Sequence, residues 1–248
     1  MSDRVPEPEP RLAVPAYFHP DMRPGDWELL ARGAPQVKIV ILNVANGPGT
    51  KPDPAFATPV RRLHEAGITV AGYVDTNYAT RRPSYVLADL ERFREWYGAT
   101  GVCFDRAAAT AEHLGYYSAA SRAARHAGAR FVIFNHGTHP VEAYASHADL
   151  LGTFEGRWPD YAQLAVPRWA RSWPAAMFEH VVYAVPPGEF GRTMAMAARR
   201  HAGCVYITDS DGANPYDRLP AASFCALPPL KRRGWRGLMP FAAGTGGP

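Results

Sequence analysis

Eight short apolar runs, each separated from the next by a longer segment, divide this 248-residue chain into a regular alternation. The runs are rich in Val, Ile, Phe and Tyr, as expected of strands buried on both faces of a parallel sheet. They cover residues 12–19, 37–44, 69–75, 101–105, 130–135, 150–155, 180–185 and 204–209. A chain that alternates in this way forms a parallel α/β sheet, which is either open or closed into a barrel.

Between several runs lie segments whose apolar residues recur with the 3.6-residue period of a helix. In segment 84–97, Val86, Leu90 and Phe93 share one face, while most of the charged residues lie on the other. The clearest predicted helices cover residues 54–66, 84–97, 111–127 and 189–202. Eight strand–helix units in a chain of this length predict a (β/α)8 barrel, because such barrels typically need about 250 residues.

A doubly wound open sheet is the main alternative fold. No Gly-x-Gly-x-x-Gly motif follows a predicted strand, and segment 47–51 lacks the spacing of a phosphate-binding loop. The sequence therefore favours the α/β class with a single (β/α)8 TIM-type barrel over residues 11–227. A proline-rich arm is expected at 1–10, and a basic tail rich in Gly and Pro at 228–248.

Charge and hydropathy exclude several classes of partner. The net charge of +4 is spread without long blocks, so no nucleic-acid partner is expected. A basic cluster at 231–236 is interpreted as a solvated tail in preference to an anion-binding patch. No apolar run approaches the ~18 to 20 residues that cross a bilayer, so no membrane partner is expected. The acidic, proline-rich start lacks a signal-peptide pattern, which predicts a cytoplasmic protein.

The cysteines and histidines give no pattern for a metal or a disulfide. Cys103, Cys204 and Cys225 are odd in number and widely spaced, as expected of small buried residues. His136 and His139 lie three residues apart without further ligands nearby in the sequence. The sequence thus predicts no metal and no cofactor.

Polar residues end almost every predicted strand. In a (β/α)8 barrel the loops after the strands carry the active site, so these residues are expected to converge on one mouth. A carboxylate at the end of an apolar run must reach solvent or find a partner, because burying it alone is costly. The residues concerned are His19, Asn43, Asp75, Asp105, Asn135, Glu155 and Asp209.

Two of these acids point to a class of chemistry. Strand alternation places Asp105 on the face of Cys103, and Glu155 on the face of Thr153, so both are expected to project into the barrel mouth. Two carboxyl groups across a groove are the minimum requirement for glycoside hydrolysis. The structural alternative is that each acid forms an ion pair with a neighbouring arginine, Arg106 or Arg157, and only ties loops together.

Aromatic residues near the same end of the strands offer flat platforms for sugar rings. Tyr17, Tyr78 and Trp158 are candidates for this role. Core packing is the alternative; it is favoured for Tyr73 and stays equally open for Tyr78 and Trp158.

Six short blocks stand out along the chain: VPAYFHP at 14–20, NVANGPG at 43–49, GYVDTNY at 72–78, WYG with GVCFD at 96–105, NHGT at 135–138 and TFEG at 153–156. Taken in this order, they resemble the blocks of the spherulation-specific family 4 (spherulin 4-like) proteins over residues 12–210. That family resembles a group of (β/α)8 glycoside hydrolases, including fungal enzymes that cleave α-1,4-linked N-acetylgalactosamine in galactosaminogalactan.

The resemblance implies a glycosidase whose catalytic acids are Asp105 and Glu155, acting on a galactosamine-type or related oligosaccharide. The remaining polar and aromatic residues of the mouth are then expected to bind the substrate. These residues are His19, Asn43, Asp75, Tyr78, Arg106, Asn135, His136, Trp158 and Asp209.

The chain departs from the family at Arg106, where the family usually has a glutamate. An arginine cannot donate a proton at neutral pH, so a catalytic acid of the relatives is missing if that glutamate serves as one. His136 could take over, because an imidazole with a pKa near 6.5 suits proton transfer. The alternatives are an altered barrel that binds a sugar or an anionic small molecule through Arg106, or another reaction in bacterial specialised metabolism.

Overall fold

The computed structural model describes residues 9–220. Residues 1–8 of the expected arm, residues 221–227 of the expected barrel, the whole tail 228–248 and Cys225 lie outside the described residues. The domain boundaries therefore stay predictions.

Eight parallel strands form a closed barrel in sequence order, each paired with its neighbours and the last paired with the first. The single (β/α)8 TIM-type barrel is thereby confirmed. The strands are β1 (Arg11–Ala16), β2 (Val37–Leu42), β3 (Thr69–Asp75), β4 (Gly101–Asp105), β5 (Phe131–Asn135), β6 (Leu150–Arg157), β7 (Phe178–Tyr183) and β8 (Cys204–Ile207).

Helices and short 3-10 turns cover the outside of the barrel. The α-helices are α1 (Pro24–Arg32), α2 (Ala57–Glu65), α3 (Pro83–Tyr97), α4 (Leu114–His126), α5 (Trp158–Ala162) and α6 (Phe190–Arg199). Gly98 ends α3 in the left-handed conformation, with φ of 66°. Among residues 9–220, no helix has both the length and the apolar character that crossing a membrane requires.

The predicted helices match with small shifts, and two short helices were not predicted. The expected helices at 54–66 and 111–127 each begin with a 3-10 turn before α2 and α4. Helix α1, which begins with Pro24 and Gly25 and buries Trp27 and Leu30, was not predicted. Helix α5 is a single turn between β6 and the following loop.

The predicted seventh strand is displaced at both of its ends. The apolar pattern predicts a strand at 180–185, whereas β7 begins at Phe178 and ends at Tyr183. Ala184 has φ of 55°, a left-handed conformation that extended backbone does not allow, so the strand ends before it. Glu179 thereby becomes a strand residue with its side chain buried at 2% exposure.

Candidate active site

Asn135 connects the two candidate acids at the carboxyl end of the barrel. Its Nδ2 donates to Asp105 Oδ1 over 2.8 Å and to Glu155 Oε2 over 2.6 Å. Asp105 is the last residue of β4, Asn135 is the last residue of β5, and Glu155 lies near the end of β6. Three consecutive strands therefore bring these side chains into one hydrogen-bonded group.

The orientation of the Asn135 carboxamide follows from its surroundings. Its Oδ1 accepts the backbone N–H of Gly137 over 3.2 Å, which leaves both N–H groups of Nδ2 to face the acids. Gly152, which pairs with Asn135 between β5 and β6, makes room for this arrangement. A Cβ at position 152 would overlap Asn135 Oδ1 and lie 3.1 Å from its Cγ.

Tyrosines supply the remaining donors. Tyr216, in the segment after β8, donates its hydroxyl to Glu155 Oε1 over 2.5 Å. Tyr73 of β3 hydrogen-bonds Asp105. Tyr17 packs edge-on against both of these tyrosines, with ring centroids 5.5 and 5.3 Å away. Each acid therefore has one tyrosine and shares one amide.

Neither acid forms an ion pair with Arg106 or Arg157, which was the structural alternative to a catalytic role. Arg106 instead holds Asp75 through two hydrogen bonds, one of 2.8 Å from Nε. Arg157 likewise holds Asp211, with 2.7 Å between Nη2 and Oδ2. Within residues 9–220, Asp105 and Glu155 thus contact neutral donors and no cation. Tying loops together does not explain them.

The surroundings of Asp105 favour its protonated form. Burial raises the pKa of Asp105, and the negative charge of Glu155 acts in the same direction. Hydrogen bonds from Asn135 and Tyr73 oppose this shift without reversing it. Two acids in different environments can divide the work of proton donor and charged carboxylate.

The two carboxyl groups are also close. Because one nitrogen contacts both, the nearest oxygens of Asp105 and Glu155 lie within about 5.5 Å of each other. Retaining glycosidases hold their carboxyl groups about 5 to 5.5 Å apart, whereas inverting enzymes need about 6.5 to 9.5 Å to fit a water molecule. The limit applies to one pair of oxygens, and retention is the outcome to test by analysis of the products.

A polar groove of about 510 Å³ opens beside the acids. It is lined by residues 43–46 after β2, by residues 213–216 after β8, and by Tyr17. Tyr17 and Tyr216 also line the inner cavity that contains Glu155, so the groove and the acids share two walls. Asn43, a predicted substrate-binding residue, lies in this groove and accepts the Gly47 N–H.

A second group of predicted residues lies on the rim next to Asp105. Burial acts to raise the pKa of Asp75, but hydrogen bonds from Arg106 and from the Asn77 backbone hold it below its usual value. The Arg106 guanidinium lies 5.9 Å from the ring of Tyr78, which is exposed. These three side chains present a planar cation and an aromatic ring to solvent.

The sequence suggested that His136 lies at the barrel mouth, but its ring lies in an aromatic cluster. Its ring is buried against Phe134, Tyr117 and Tyr144, outside the barrel wall, and its Nδ1 contacts the backbone carbonyls of residues 107 and 108. Burial lowers the pKa of His136 to about 4. A buried neutral imidazole in an aromatic cluster is not placed to replace the missing glutamate.

Three further predicted residues have partners away from the acids. His19 lies three residues beyond the end of β1 and pairs with Asp53 over 3.0 Å. Asp209 is exposed beyond β8 and pairs with Arg218. Trp158 begins α5 and packs against Tyr161. The first and last predicted strands extend beyond the observed β1 and β8, so His19 and Asp209 lie in the segments that follow these strands.

Two residues of the site were missed. Tyr216 follows the last predicted strand, in a segment without any periodic signal. Glu179 precedes the apolar run that predicts β7, and it lines the inner cavity together with Glu155. Within residues 9–220, no group of three or more His, Cys, Asp or Glu side chains is arranged to hold a metal ion.

The fold and this geometry define the class: a (β/α)8 barrel protein with a bridged pair of acids at the carboxyl end of its strands. The chain belongs to spherulation-specific family 4, whose sequence profile matches residues 11–225. Spherulin-4 of Physarum polycephalum is 28% identical over 224 residues, and the match covers 84% of this chain and 66% of spherulin-4.

A solved structure supports the fold. Sph3 of Aspergillus clavatus, determined in complex with GalNAc, superposes with a TM-score of 0.78. The match covers 90% of this chain and 98% of Sph3, and 22% of the aligned residues are identical. The barrel and its order of strands are thus shared with a protein that binds an amino sugar.

Proposed function

We propose that this protein is a glycoside hydrolase that cleaves a galactosamine-type or related oligosaccharide. The observation that carries the proposal is the pair of Asp105 and Glu155, which one Asn135 amide holds close together and which no cation among residues 9–220 neutralises. Paired carboxyl groups that are not neutralised by arginine or lysine are suited to acid–base and nucleophilic work.

The surroundings of the two acids suggest their roles. Asp105, with its raised pKa, protonates the glycosidic oxygen while the Glu155 carboxylate attacks the anomeric carbon and the C–O bond breaks. The Asp105 carboxylate then removes a proton from water, and the hydroxide displaces Glu155 from the sugar. Hydrogen bonds from Asn135 and Tyr216 orient the attacking carboxylate throughout.

The substrate class rests on the groove and on the shared barrel. The groove is lined by amide, backbone and tyrosine groups, which hydrogen-bond sugar hydroxyls and acetamido groups. Sph3, which has the same barrel, was determined with GalNAc. An oligosaccharide that contains N-acetylgalactosamine is therefore the first substrate to test.

The direct test incubates the purified protein with α-1,4-linked oligosaccharides of N-acetylgalactosamine and of galactosamine. New reducing ends and shorter products are detected by mass spectrometry. We expect turnover of at least one of these substrates. A wild-type protein that cleaves neither of them, nor chitin or other amino-sugar oligomers, contradicts the proposal.

Removing the Tyr216 hydroxyl is expected to slow the reaction. A hydrogen bond to a charged group is worth about 1.5 to 3 kcal/mol, so Tyr216→Phe should lower kcat about 10- to 100-fold. Tyr144→Phe is the matched control, because the hydroxyl of the buried Tyr144 donates to the Thr110 carbonyl away from the acids. Equal kcat values for both variants would argue against Tyr216 as an orienting group.

A second candidate function is a barrel that binds a sugar or an anionic molecule at Arg106 without cleaving it. The observation in its favour is the exposed rim of Arg106 and Tyr78 beside the acids. Because two donors of Arg106 are already directed at Asp75, a free anion competes with that carboxylate. This contact makes an uncharged sugar the better ligand for the rim.

Two substitutions of Arg106, Arg106→Gln and Arg106→Glu, separate the two functions. In the proposed glycosidase Arg106 only supports the rim, and an exposed ion pair is worth at most about 1 kcal/mol, so KM should rise about fivefold or less with kcat nearly unchanged. Arg82→Gln, at an exposed arginine before α3, is the control. If the wild type shows no turnover and the Arg106→Glu variant gains hydrolysis, the second function is favoured instead.

A further inference from the structure

Glu179 is a buried carboxyl group that the proposed reaction leaves unused. It lies on β7, in register with Gly152 of β6 and Cys204 of β8, and its side chain points into the barrel. It is only 2% exposed, and no group among residues 9–220 pairs with its Oε1. An unpaired buried carboxyl is costly, so its position calls for a physical reason.

A small cavity connects Glu179 with Glu155. Its volume of about 20 Å³ is enough for one water molecule, and polar groups face it from several sides. Glu179 and Glu155 both line it, together with Asn135 and Tyr216. The carboxylate of Glu155 accepts one hydrogen bond at each oxygen from Asn135 and Tyr216, so a lone pair is left on each oxygen for a further donor.

The groups around Glu179 favour its neutral form. Burial raises its pKa to about 8, the charges of Glu155 and Asp105 act in the same direction, and Lys38 opposes them. Within residues 9–220 no cation forms a salt bridge with it. The titratable groups that face it are Lys38 of β2, Cys103 and Asp105 of β4, Glu155 of β6, Cys204 of β8, and Tyr17 and Tyr216 at the cavity.

We propose that Glu179 is an inner positioning acid of this site, which donates a hydrogen bond to Glu155 through one water molecule in the cavity. The effect of Glu179 on catalysis rests on the proposed function, whereas its protonation and its hydrogen bond to Glu155 do not. Through the water molecule, a protonated Glu179 supplies Glu155 with a third hydrogen-bond donor from inside the barrel, and it adds no charge. An ionised Glu179 removes that donor and puts a third negative charge beside Asp105, which weakens Asp105 as a proton donor.

Carbon-13 NMR of protein labelled at the glutamate side-chain carboxyl tests this directly between pH 4 and 10. We expect one carboxyl group to titrate near pH 8, and that transition to vanish in Glu179→Gln. In Glu155→Gln the same transition should move to lower pH, because the neighbouring negative charge is gone. Glu112→Gln, at an exposed glutamate, is the control and should leave the transition near pH 8 in place.

Two outcomes overturn the inference. One is that every glutamate titrates below pH 6; the other is that the transition near pH 8 does not move in Glu155→Gln. The second measurement does not require the Glu179 variant to fold. In a hydrolysis assay, the ionisation of Glu179 should add a fall in kcat above about pH 8, and this added fall should be absent from Glu179→Gln. If the wild type cleaves nothing, the proposed function fails, and the titration still decides the role of Glu179.

Discussion

Glu155→Gln is expected to lower kcat about a thousandfold or more while the barrel stays folded. An amide cannot attack the anomeric carbon, and loss of a catalytic carboxyl group costs at least the 10²- to 10⁴-fold of acid–base catalysis. The fold should tolerate the change because glutamine has the same shape. Its side-chain oxygen can still accept from Asn135, and its nitrogen can donate to the hydroxyl oxygen of Tyr216.

The measurement is the initial rate of oligosaccharide cleavage beside a thermal unfolding curve for each protein. Glu91→Gln, at an exposed position on α3, makes the same chemical change away from the site and should keep the wild-type rate. A folded Glu155→Gln variant with wild-type turnover would exclude Glu155 as the nucleophile. The assignment of a glycosidase to this acid pair would then be wrong.

Much of the fold could be predicted from the sequence because the strand signal is strong. Buried strands of a parallel barrel need apolar residues on both faces, and every predicted run except that for β7 begins within one residue of an observed strand. The alternation of side chains along β4 also placed Asp105 on the inner face with Cys103, as the inner cavity confirms for Cys103. The pattern within one strand is enough to predict where that strand lies and which face a side chain occupies.

The residues that sequence reasoning missed depend on contacts between distant segments. Tyr216 reaches Glu155 across 61 positions, and no local pattern marks a tyrosine in a loop as the partner of an acid. Glu179 was missed for a different reason. A charged residue was not expected inside a buried strand, so the predicted strand begins after it. His136 follows the end of β5 as the other candidate residues follow their strands, but its ring is turned outward into an aromatic cluster.

Gly152→Ala is expected to lower kcat about 100-fold without removing any catalytic group. The added methyl would overlap Asn135 Oδ1 and lie 3.1 Å from Cγ and 3.2 Å from Cα, so the carboxamide must rotate away. The backbone of β5 cannot move aside, because it pairs with β4 and β6 on both sides. Asp105 and Glu155 then lose their shared donor, and the hydrogen bond to the charged Glu155 carboxylate is worth about 1.5 to 3 kcal/mol.

Gly115→Ala is the matched control for this variant. Gly115 lies in α4, and a methyl group added there would have no neighbouring atom within 4 Å, so alanine should keep the wild-type rate and stabilise the helix by about 0.5 to 1 kcal/mol. Gly152→Ala should lose about 1 to 3 kcal/mol of unfolding free energy, as overpacked interiors do. If Gly152→Ala keeps the wild-type kcat, the Asn135 bridge does not orient the acids, and their closeness alone has to account for any activity.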